Sequence, residues 1–259
     1  MGPAGVAVIE KVLPGLRKEL GADVVIAQAE NVTEGKGLSV ADYQKLRELG
    51  VDGFSGGNHT IALAETATLL NDPNIPVTAP ANMIGIAGPG FKYVSTTKGR
   101  VLIISILGKI VGRDAEKPTW NPLVRVDEIL ESQKDEKRVA TVVNFHGDYS
   151  SEKVVFGHYL DGRVSAVVGD HWHVPTADAR VLPGGTAYQT DVGMCGALDS
   201  SLGVKYDAII SRWRDNKQNR NELETEGQMQ FNALLVDVNE KTGLAKKAQA
   251  IRQVFAVSS

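Results

Sequence analysis

Short apolar runs alternate with helix-like segments along nearly the whole chain, and this alternation limits the possible folds more than any other feature. Strands are predicted at the runs ADVVIAQAEN, VDGFSGGN, RVLIISIL, RVATVVNFHG and VSAVVGDHWHV, and a hairpin at the C-terminal NALLVDVNEKTGLAKKAQAIRQVF. Helices are predicted at GVAVIEKVLPGLRKELG, at SVADYQKLRELG between an N-cap at Ser39 and a stop at Gly50, and at TIALAETATLLND. Strands that alternate with helices predict an α/β sandwich with a mixed sheet, in a single domain over residues 1–259.

Composition excludes several classes of protein. The formal net charge of −3 provides no basic field for a stable nucleic-acid complex or for an anionic membrane. No apolar run approaches the roughly 20 residues that span a bilayer, and we expect no signal peptide, since no apolar segment of that kind opens the sequence. Cys195 is the only cysteine, which excludes an internal disulfide and a thiolate metal cluster. We therefore expect a cytoplasmic enzyme or binding protein.

Four of the five histidines follow predicted strands. His59 comes after the second strand, His146 ends RVATVVNFH, and His171 and His173 end VSAVVGDHWH. Functional groups of open α/β folds gather beyond the carboxyl ends of their strands. The fifth, His158, follows no such strand, and we assign it no role.

The H-x-H pair, His171 and His173, suggests metal binding. One intervening residue places both rings on the same side of an extended segment, as two metal ligands require, although chance also produces this spacing. With Glu30, Asn58 and His146 at other strand ends, the set offers imidazole, amide and carboxylate donors and no sulfur. Such donors suit Mn, Fe or Zn.

The stretch GFSGG, residues 53–57, matches the nucleophile elbow G-x-S-x-G of serine hydrolases, with Ser55 as the nucleophile. That fold normally builds several strands before the elbow, whereas one predicted strand precedes it here. The preferred interpretation is that Gly56 and Gly57 allow a tight turn that presents Asn58 and His59.

Longer stretches carry a family resemblance. AENVTEGKGLS, GGNHT, VVNFHGDYSSEK, GHYLDGRVSAVVGDHWHVPTADARVLPGGTAYQTDVGM and DSSLG together resemble the YmdB-type bacterial metallophosphoesterases, in order from near Pro3 to the C-terminal strands. The block from Ser151 to Gly193 is the most specific part. The resemblance implies a calcineurin-like α/β sandwich with mixed sheets flanked by helices. It also implies two metal ions, iron or manganese with zinc as an alternative, and hydrolysis of small phosphodiesters such as 2′,3′-cyclic nucleotides.

The same resemblance assigns roles residue by residue. Glu30 would bridge the two ions. The remaining ligands divide into two sets, with Asn31 and His173 at the first ion and Asn58, His146 and His171 at the second. His59 would be the general acid that protonates the departing alkoxide.

The sequence departs from the family pattern at its start and near the site, where Ile61 and Ala62 stand in place of the usual Trp-Asp. Members begin with an apolar strand that ends in Gly-Asp and supplies a ligand of the first ion, whereas this sequence starts at MGPAG, which corresponds to the following helix. Either the sequence is truncated, which we favour, or the protein lacks this strand and binds one ion or none. Members also carry threonines where this chain has Asp170 and Trp172. Asp148 and Asp170 either substitute for the missing carboxylate or are loop residues, and Trp172 either stacks on a nucleobase or packs at the rim.

Three functions remain open on this basis. The leading hypothesis is a metal-dependent phosphodiesterase that acts on a small nucleotide-like substrate, as a homo-oligomer. The alternative is a non-catalytic regulatory or nucleotide-binding protein on a damaged phosphoesterase scaffold, which the missing aspartate supports. A serine hydrolase that uses Ser55 is the third.

Overall fold

The computed structural model describes residues 1–112 and 115–256, so that residues 113–114 and 257–259 of the predicted domain lie outside it. Its helices are α1 (Gly2–Leu20), α2 (Val40–Glu48), α3 (Thr66–Asn71), α4 (Pro122–Ser132), α5 (Ser150–Tyr159) and α6 (Tyr206–Asp215). Its strands are β1 (Ile26–Gln28), β2 (Gly53–Ser55), β3 (Phe91–Thr96), β4 (Gly99–Leu107), β5 (Ala140–His146), β6 (Ala166–Asp170), β7 (Arg180–Val181), β8 (Ala187–Gln189), β9 (Gly196–Ala197), β10 (Gln228–Val238) and β11 (Ala245–Ala256). They form the mixed α/β architecture that the sequence predicts.

The largest sheet contains six strands in the order β3-β4-β5-β6-β8-β7. Its four central strands are parallel, and the edge strands β3 and β7 run antiparallel to their neighbours. Helices α4 and α5 cover one face, where Ile104 and Ile106 share an apolar cluster with Val126 and Phe156. Because parallel strands end at the same edge, the residues that follow β4, β5 and β6 come close together.

A second apolar core joins the two smaller sheets. Strands β1 and β2 form a parallel pair, and β9, β10 and β11 form an antiparallel sheet. Helix α1 packs against both, since Val8 and Leu13 share one buried cluster with Phe54 and Phe231. The helix ends at Gly21, whose left-handed φ of 62° suits a residue without a side chain.

The amino end of α1 lies between these smaller sheets. The Met1 ammonium group donates to the carbonyl of Cys195 at 2.7 Å, just before β9. The Gly2 N–H donates to the carbonyl of Asn31 at 2.8 Å, just after β1. The start of α1 is therefore held beside Asn31, one of the predicted site residues.

The predicted strands and the C-terminal hairpin are confirmed, and Ser39 caps α2 by accepting the Asp42 N–H at 3.0 Å. The helix predicted at TIALAETATLLND is wrong in its first half. A 3₁₀ turn covers Thr60–Ala62, and the α-helix begins only at Thr66. The Thr60 hydroxyl donates to the carbonyl of Gly57 at 2.8 Å, a local bond that competes with helix formation.

Strands β7, β8 and β9 lie outside the sequence prediction, because runs of two or three residues leave no periodicity to detect. Helices α4, α5 and α6 also lie outside it. Among the described helices, none combines the length and the apolar character needed to cross a bilayer.

Candidate metal centre

The ends of four strands bring the predicted site residues to one edge of the structure. They are Glu30 and Asn31 after β1, Asn58 and His59 after β2, His146 at the end of β5, and His171 and His173 after β6. Strands β1 and β2 are parallel to each other, as are β5 and β6, so each pair ends at a common edge. Direct contacts connect all seven side chains, as described below.

One group of donors contains Glu30, His146 and His171, whose ligand atoms all lie within 4.8 Å of one another. His146 Nε2 lies 3.2 Å from Glu30 Oε1 and 2.7 Å from Asn58 Oδ1. The His146 and His171 rings meet edge to face, with centroids 4.4 Å apart. One carboxylate, one amide oxygen and two imidazoles thus converge on a single point.

A second group extends from Glu30 toward the start of α1. Asn31 Nδ2 lies 3.4 Å from His173 Nε2 and 3.4 Å from Glu30 Oε1. His59 Nδ1 donates to Asn31 Oδ1 at 2.9 Å, and the His59 main-chain N–H donates to Glu30 Oε2 at 2.8 Å. Glu30 therefore contacts both groups, and the family resemblance implies a bridging role for this residue.

The donor set fits a metal ion. The Glu30 side chain is fully buried, and burial of a carboxylate is costly unless a cation or several hydrogen bonds compensate for it. The carboxylate, amide and imidazole donors are those that Fe, Mn and Zn accept. The residues present therefore suit divalent ions at this position.

The two histidines of the H-x-H pair do not lie on an extended segment. The prediction that extended backbone places both rings on the same side is therefore wrong. Strand β6 ends at Asp170, and the backbone turns sharply, with φ of 101° at His171 and 62° at His173. Residues with a Cβ rarely adopt positive φ, and such strain concentrates at functional sites. The turn sends His171 toward His146, and His173 toward Asn31 and the carbonyl of Leu202, which accepts from Nδ1 at 3.1 Å.

Asp170 and Asp148 each contact an expected ligand. Asp170 Oδ2 lies 3.1 Å from His146 Nδ1, and Asp148 Oδ2 lies 3.2 Å from His171 Nε2. A carboxylate on the outer nitrogen of a histidine fixes the tautomer and turns the other nitrogen toward a metal. Asp170 is placed to do this for His146, and the sequence signal was its position directly between the strand and the H-x-H pair.

Burial and neighbouring charges set the pKa values of His146, His171 and His173. Burial lowers the pKa of His146, but the carboxylates of Glu30 and Asp170 outweigh this effect and raise it to about 9. Burial and the neighbouring charge of His146 lower the pKa of His171 to about 4. Burial and the nearby amino terminus lower the pKa of His173 to about 4 as well. His171 and His173 are therefore neutral at pH 7, which is the form that binds metals.

Trp172 is half-buried, and one part of its ring packs against the protein. Its Nε1–H donates to the carbonyl of Asp148 at 3.0 Å, and the ammonium group of Lys153 lies 4.2 Å from the centre of its ring. Since one part of the indole is already covered, the packing interpretation is favoured over base stacking.

The first three residues of GFSGG form strand β2, in which Ser55 is only 4% exposed, and the chain turns at Asn58 and His59, directly after the two glycines. A Cβ at Gly56 would overlap the Thr60 hydroxyl, and one at Gly57 would overlap the Glu30 carboxylate and lie 2.5 Å from the His146 ring. These glycines let the backbone pass directly beside the donors. This arrangement favours the turn interpretation over a serine nucleophile.

We expect Gly57→Ala to lower both the stability and the metal content of the protein. The added methyl group would have to displace Glu30 or His146, and overpacking of this kind typically costs about 1–3 kcal/mol. Gly15→Ala is the matched control, because a Cβ at Gly15, inside α1, meets no atom within 4 Å. That substitution should stabilise the helix by about 0.5–1 kcal/mol. Thermal unfolding of the metal-free proteins and metal analysis measure both effects, and equal behaviour of the two variants would contradict the prediction.

Two lysines near the candidate metal centre, Lys117 and Lys153, were not predicted from the sequence as part of the site. Lys117 Nζ donates to the main-chain carbonyl of Asn58 at 3.4 Å. Lys153 lies beneath Trp172, where it forms a buried ion pair with Asp191 at 3.0 Å. Neither lysine stands beside a histidine in the sequence, so no local pattern marks them.

Known proteins resemble this chain over nearly its whole length. A family model described as YmdB-like protein matches residues 1–251. A curated relative from Bacillus subtilis (strain 168), named 2′,3′-cyclic-nucleotide 2′-phosphodiesterase, is 34% identical over 97% of this chain and 93% of its own length. A crystal structure of a novel phosphatase from Mycoplasma pneumoniae has a TM-score of 0.89 at 32% identity and covers 98% of this chain and 90% of that one. A crystal structure of a hypothetical protein from Thermus thermophilus has a TM-score of 0.86 at 35% identity, with coverages of 98% and 96%.

Proposed function

Because the chain belongs to the YmdB-like protein family, whose relatives identify it as a hydrolytic phosphoesterase, we propose that it hydrolyses small phosphodiesters, 2′,3′-cyclic nucleotides among them. The reaction would take place at a centre of two metal ions, iron or manganese with zinc as an alternative. The observation that carries this proposal is the convergence of Glu30, His146 and His171 within 4.8 Å, with Asn58 in contact. Oxygen and nitrogen donors in this arrangement are typical of metal-assisted phosphoryl chemistry.

The proposed ligands divide into two sets, one for each ion. Glu30 contributes to both. Asn31 and His173 serve the first ion, and Asn58, His146 and His171 serve the second. When bound, the ions supply Lewis acidity toward the phosphate oxygens.

His59 is the general acid of the proposed reaction. Its ring is 39% exposed, so a substrate can reach it, and its Nδ1–H is held by Asn31 Oδ1 at 2.9 Å. The bond between its main-chain N–H and Glu30 Oε2 keeps this residue at a constant position relative to the bridging carboxylate. A sugar alkoxide is a strongly basic leaving group, and a proton from His59 allows it to depart as an alcohol.

The same chemistry suits the proposed substrate class. In a 2′,3′-cyclic nucleotide, hydrolysis breaks one phosphorus–oxygen bond of a strained ring, and the oxygen that leaves stays attached to the ribose. The site needs one proton donor on the side of that oxygen, which His59 supplies. The Bacillus subtilis relative carries the name of this activity, which supports the same assignment here.

Removal of metal should abolish hydrolysis, and Mn²⁺ or Fe²⁺ should restore it. The test uses protein purified without chelator, its metal content per chain, and turnover of 2′,3′-cyclic AMP before and after chelation. Close to two equivalents of metal with chelator-sensitive turnover would support the proposal. Turnover that survives complete metal removal would contradict it, and so would tight nucleotide binding without turnover under any metal.

A further inference from the structure

The turn that carries the H-x-H pair has an unfavourable backbone conformation. His171 and His173 both have positive φ, at 101° and 62°, which residues with a side chain rarely adopt unless the surrounding structure supports it. Both rings must nevertheless point in defined and different directions to reach His146 and Asn31. The contacts that restrain this turn therefore determine where two of the proposed ligands stand.

One restraint comes from Asp191, which is completely buried. Its Oδ2 accepts the main-chain N–H of Trp172 at 2.8 Å, in the middle of the turn. Its Oδ1 accepts the N–H of Gly193 at 2.9 Å. A single carboxylate thus links the turn to the segment that follows β8.

The second restraint comes from Lys153 on α5, which is 1% exposed. Its ammonium group donates to the carbonyl of Asp170, directly before His171, at 2.5 Å, and to the carbonyl of Thr190 at 3.2 Å. It also pairs with Asp191 at 3.0 Å and lies 4.2 Å from the centre of the Trp172 ring. Lys153 therefore holds the start of the turn and its central side chain.

We propose that the buried Lys153–Asp191 pair is a positioning element that fixes the His171–His173 turn and so places two ligands of the metal centre. A buried ion pair is an inefficient source of stability, since desolvation cancels much of the attraction. Here the other side-chain hydrogen bonds of the pair, among the described residues, go to the turn or to the segment beside it, residues 170–172 and 190–193. Its ligand-placing role rests on the proposed function, whereas its effect on the turn does not.

Two stretches that carry the family resemblance supply the pair. Lys153 ends SSEK and Asp191 lies in TDVGM. Neither residue is among the proposed ligands or the proposed acid. A positioning role gives both stretches a function in the same site.

The experiment uses Trp172 as a local probe. Replacing the exposed Trp120 and Trp213 by Phe leaves Trp172 as the single tryptophan of the chain. In that background, Asp191→Asn, Lys153→Met and the double variant are compared by Trp172 emission, Mn²⁺ affinity and thermal unfolding. Lys92→Met is the matched control, because Lys92 is also buried and also donates to a main-chain carbonyl, that of Asp72.

We expect a red shift of Trp172 emission and a Mn²⁺ Kd raised about 10–100-fold in each variant of the pair. The double variant leaves no uncompensated buried charge, so it should fold even where a single variant does not, and it should still bind Mn²⁺ weakly. Lys92→Met should lower the unfolding temperature without affecting Trp172 emission or Mn²⁺ affinity.

A folded double variant with parental Trp172 emission, or with parental Mn²⁺ affinity, would overturn the inference. A parent that binds no Mn²⁺, Fe²⁺ or Zn²⁺ would instead overturn the proposed function. In that case, Trp172 emission and hydrogen exchange of the 171–173 amides still decide whether the pair fixes the turn. Unchanged Trp172 emission and unchanged hydrogen exchange in the variants would then contradict the positioning role of the Lys153–Asp191 pair as well.

Discussion

Replacing His59 by alanine should slow hydrolysis of 2′,3′-cyclic AMP about 10²–10⁴-fold, which is the usual contribution of a general acid. The same substitution should change hydrolysis of bis(p-nitrophenyl) phosphate far less, because nitrophenolate departs without a proton. The reason lies in the position of the residue. His59 is held by Asn31 and Glu30 at the edge of the donor cluster, with its ring partly open to solvent.

His158→Ala is the matched control, since His158 is an exposed residue at the end of α5. It should leave both rates unchanged. Metal content should be the same in the parent and in both variants, which separates loss of an acid from loss of a metal ion. Equal losses on the two substrates in His59→Ala would remove His59 from the acid role.

Replacing Glu30 by glutamine should lower the metal content and reduce turnover about 10³-fold or more. The substitution keeps the shape of the side chain but removes the one carboxylate that contacts both groups of donors. Loss of metal charge stabilisation is worth several kcal/mol, and each 1.4 kcal/mol or so corresponds to a tenfold change in rate. Metal analysis and turnover of both substrates measure the effect, and here both substrates should be affected alike.

Thermal unfolding gives a second measurement of the same change. Added Mn²⁺ should raise the unfolding temperature of the parent, because a ligand that binds only the folded state stabilises it. The rise should be lost in Glu30→Gln. Asp127→Asn is the control, because Asp127 forms an exposed ion pair with Arg163 and lies away from the donors. Full metal content in Glu30→Gln would contradict the bridging role.

The location of the site could be predicted from the sequence because strand ends are local features. Apolar runs mark β1, β2, β5 and β6, and a polar residue that follows such a run stands at the edge of a sheet. This reasoning, with the family resemblance, selects Glu30, Asn58 and His146. In the structure His146 contacts both of the others.

Other features of the site could not be predicted, because they depend on residues far apart in the chain. Asp170 acts on His146, which precedes it by 24 positions, and Asp191 acts on Trp172 from 19 positions away. The strained backbone at His171 and His173 is the clearest case. Spacing predicts an extended segment there, whereas contacts with α5 and with the chain after β8 impose a turn.

The sequence by itself therefore determined the α/β class, the main strands, and which donors are available at their ends. These features follow from the local pattern of apolar and polar residues, which every segment carries independently of the rest. Only the tertiary structure decided which donors meet, which histidines have an aspartate beside them, and in which directions the two rings of the H-x-H pair point. The physical reason is that distances, burial and backbone strain at the centre arise from packing between elements far apart in sequence, and a local pattern does not encode them.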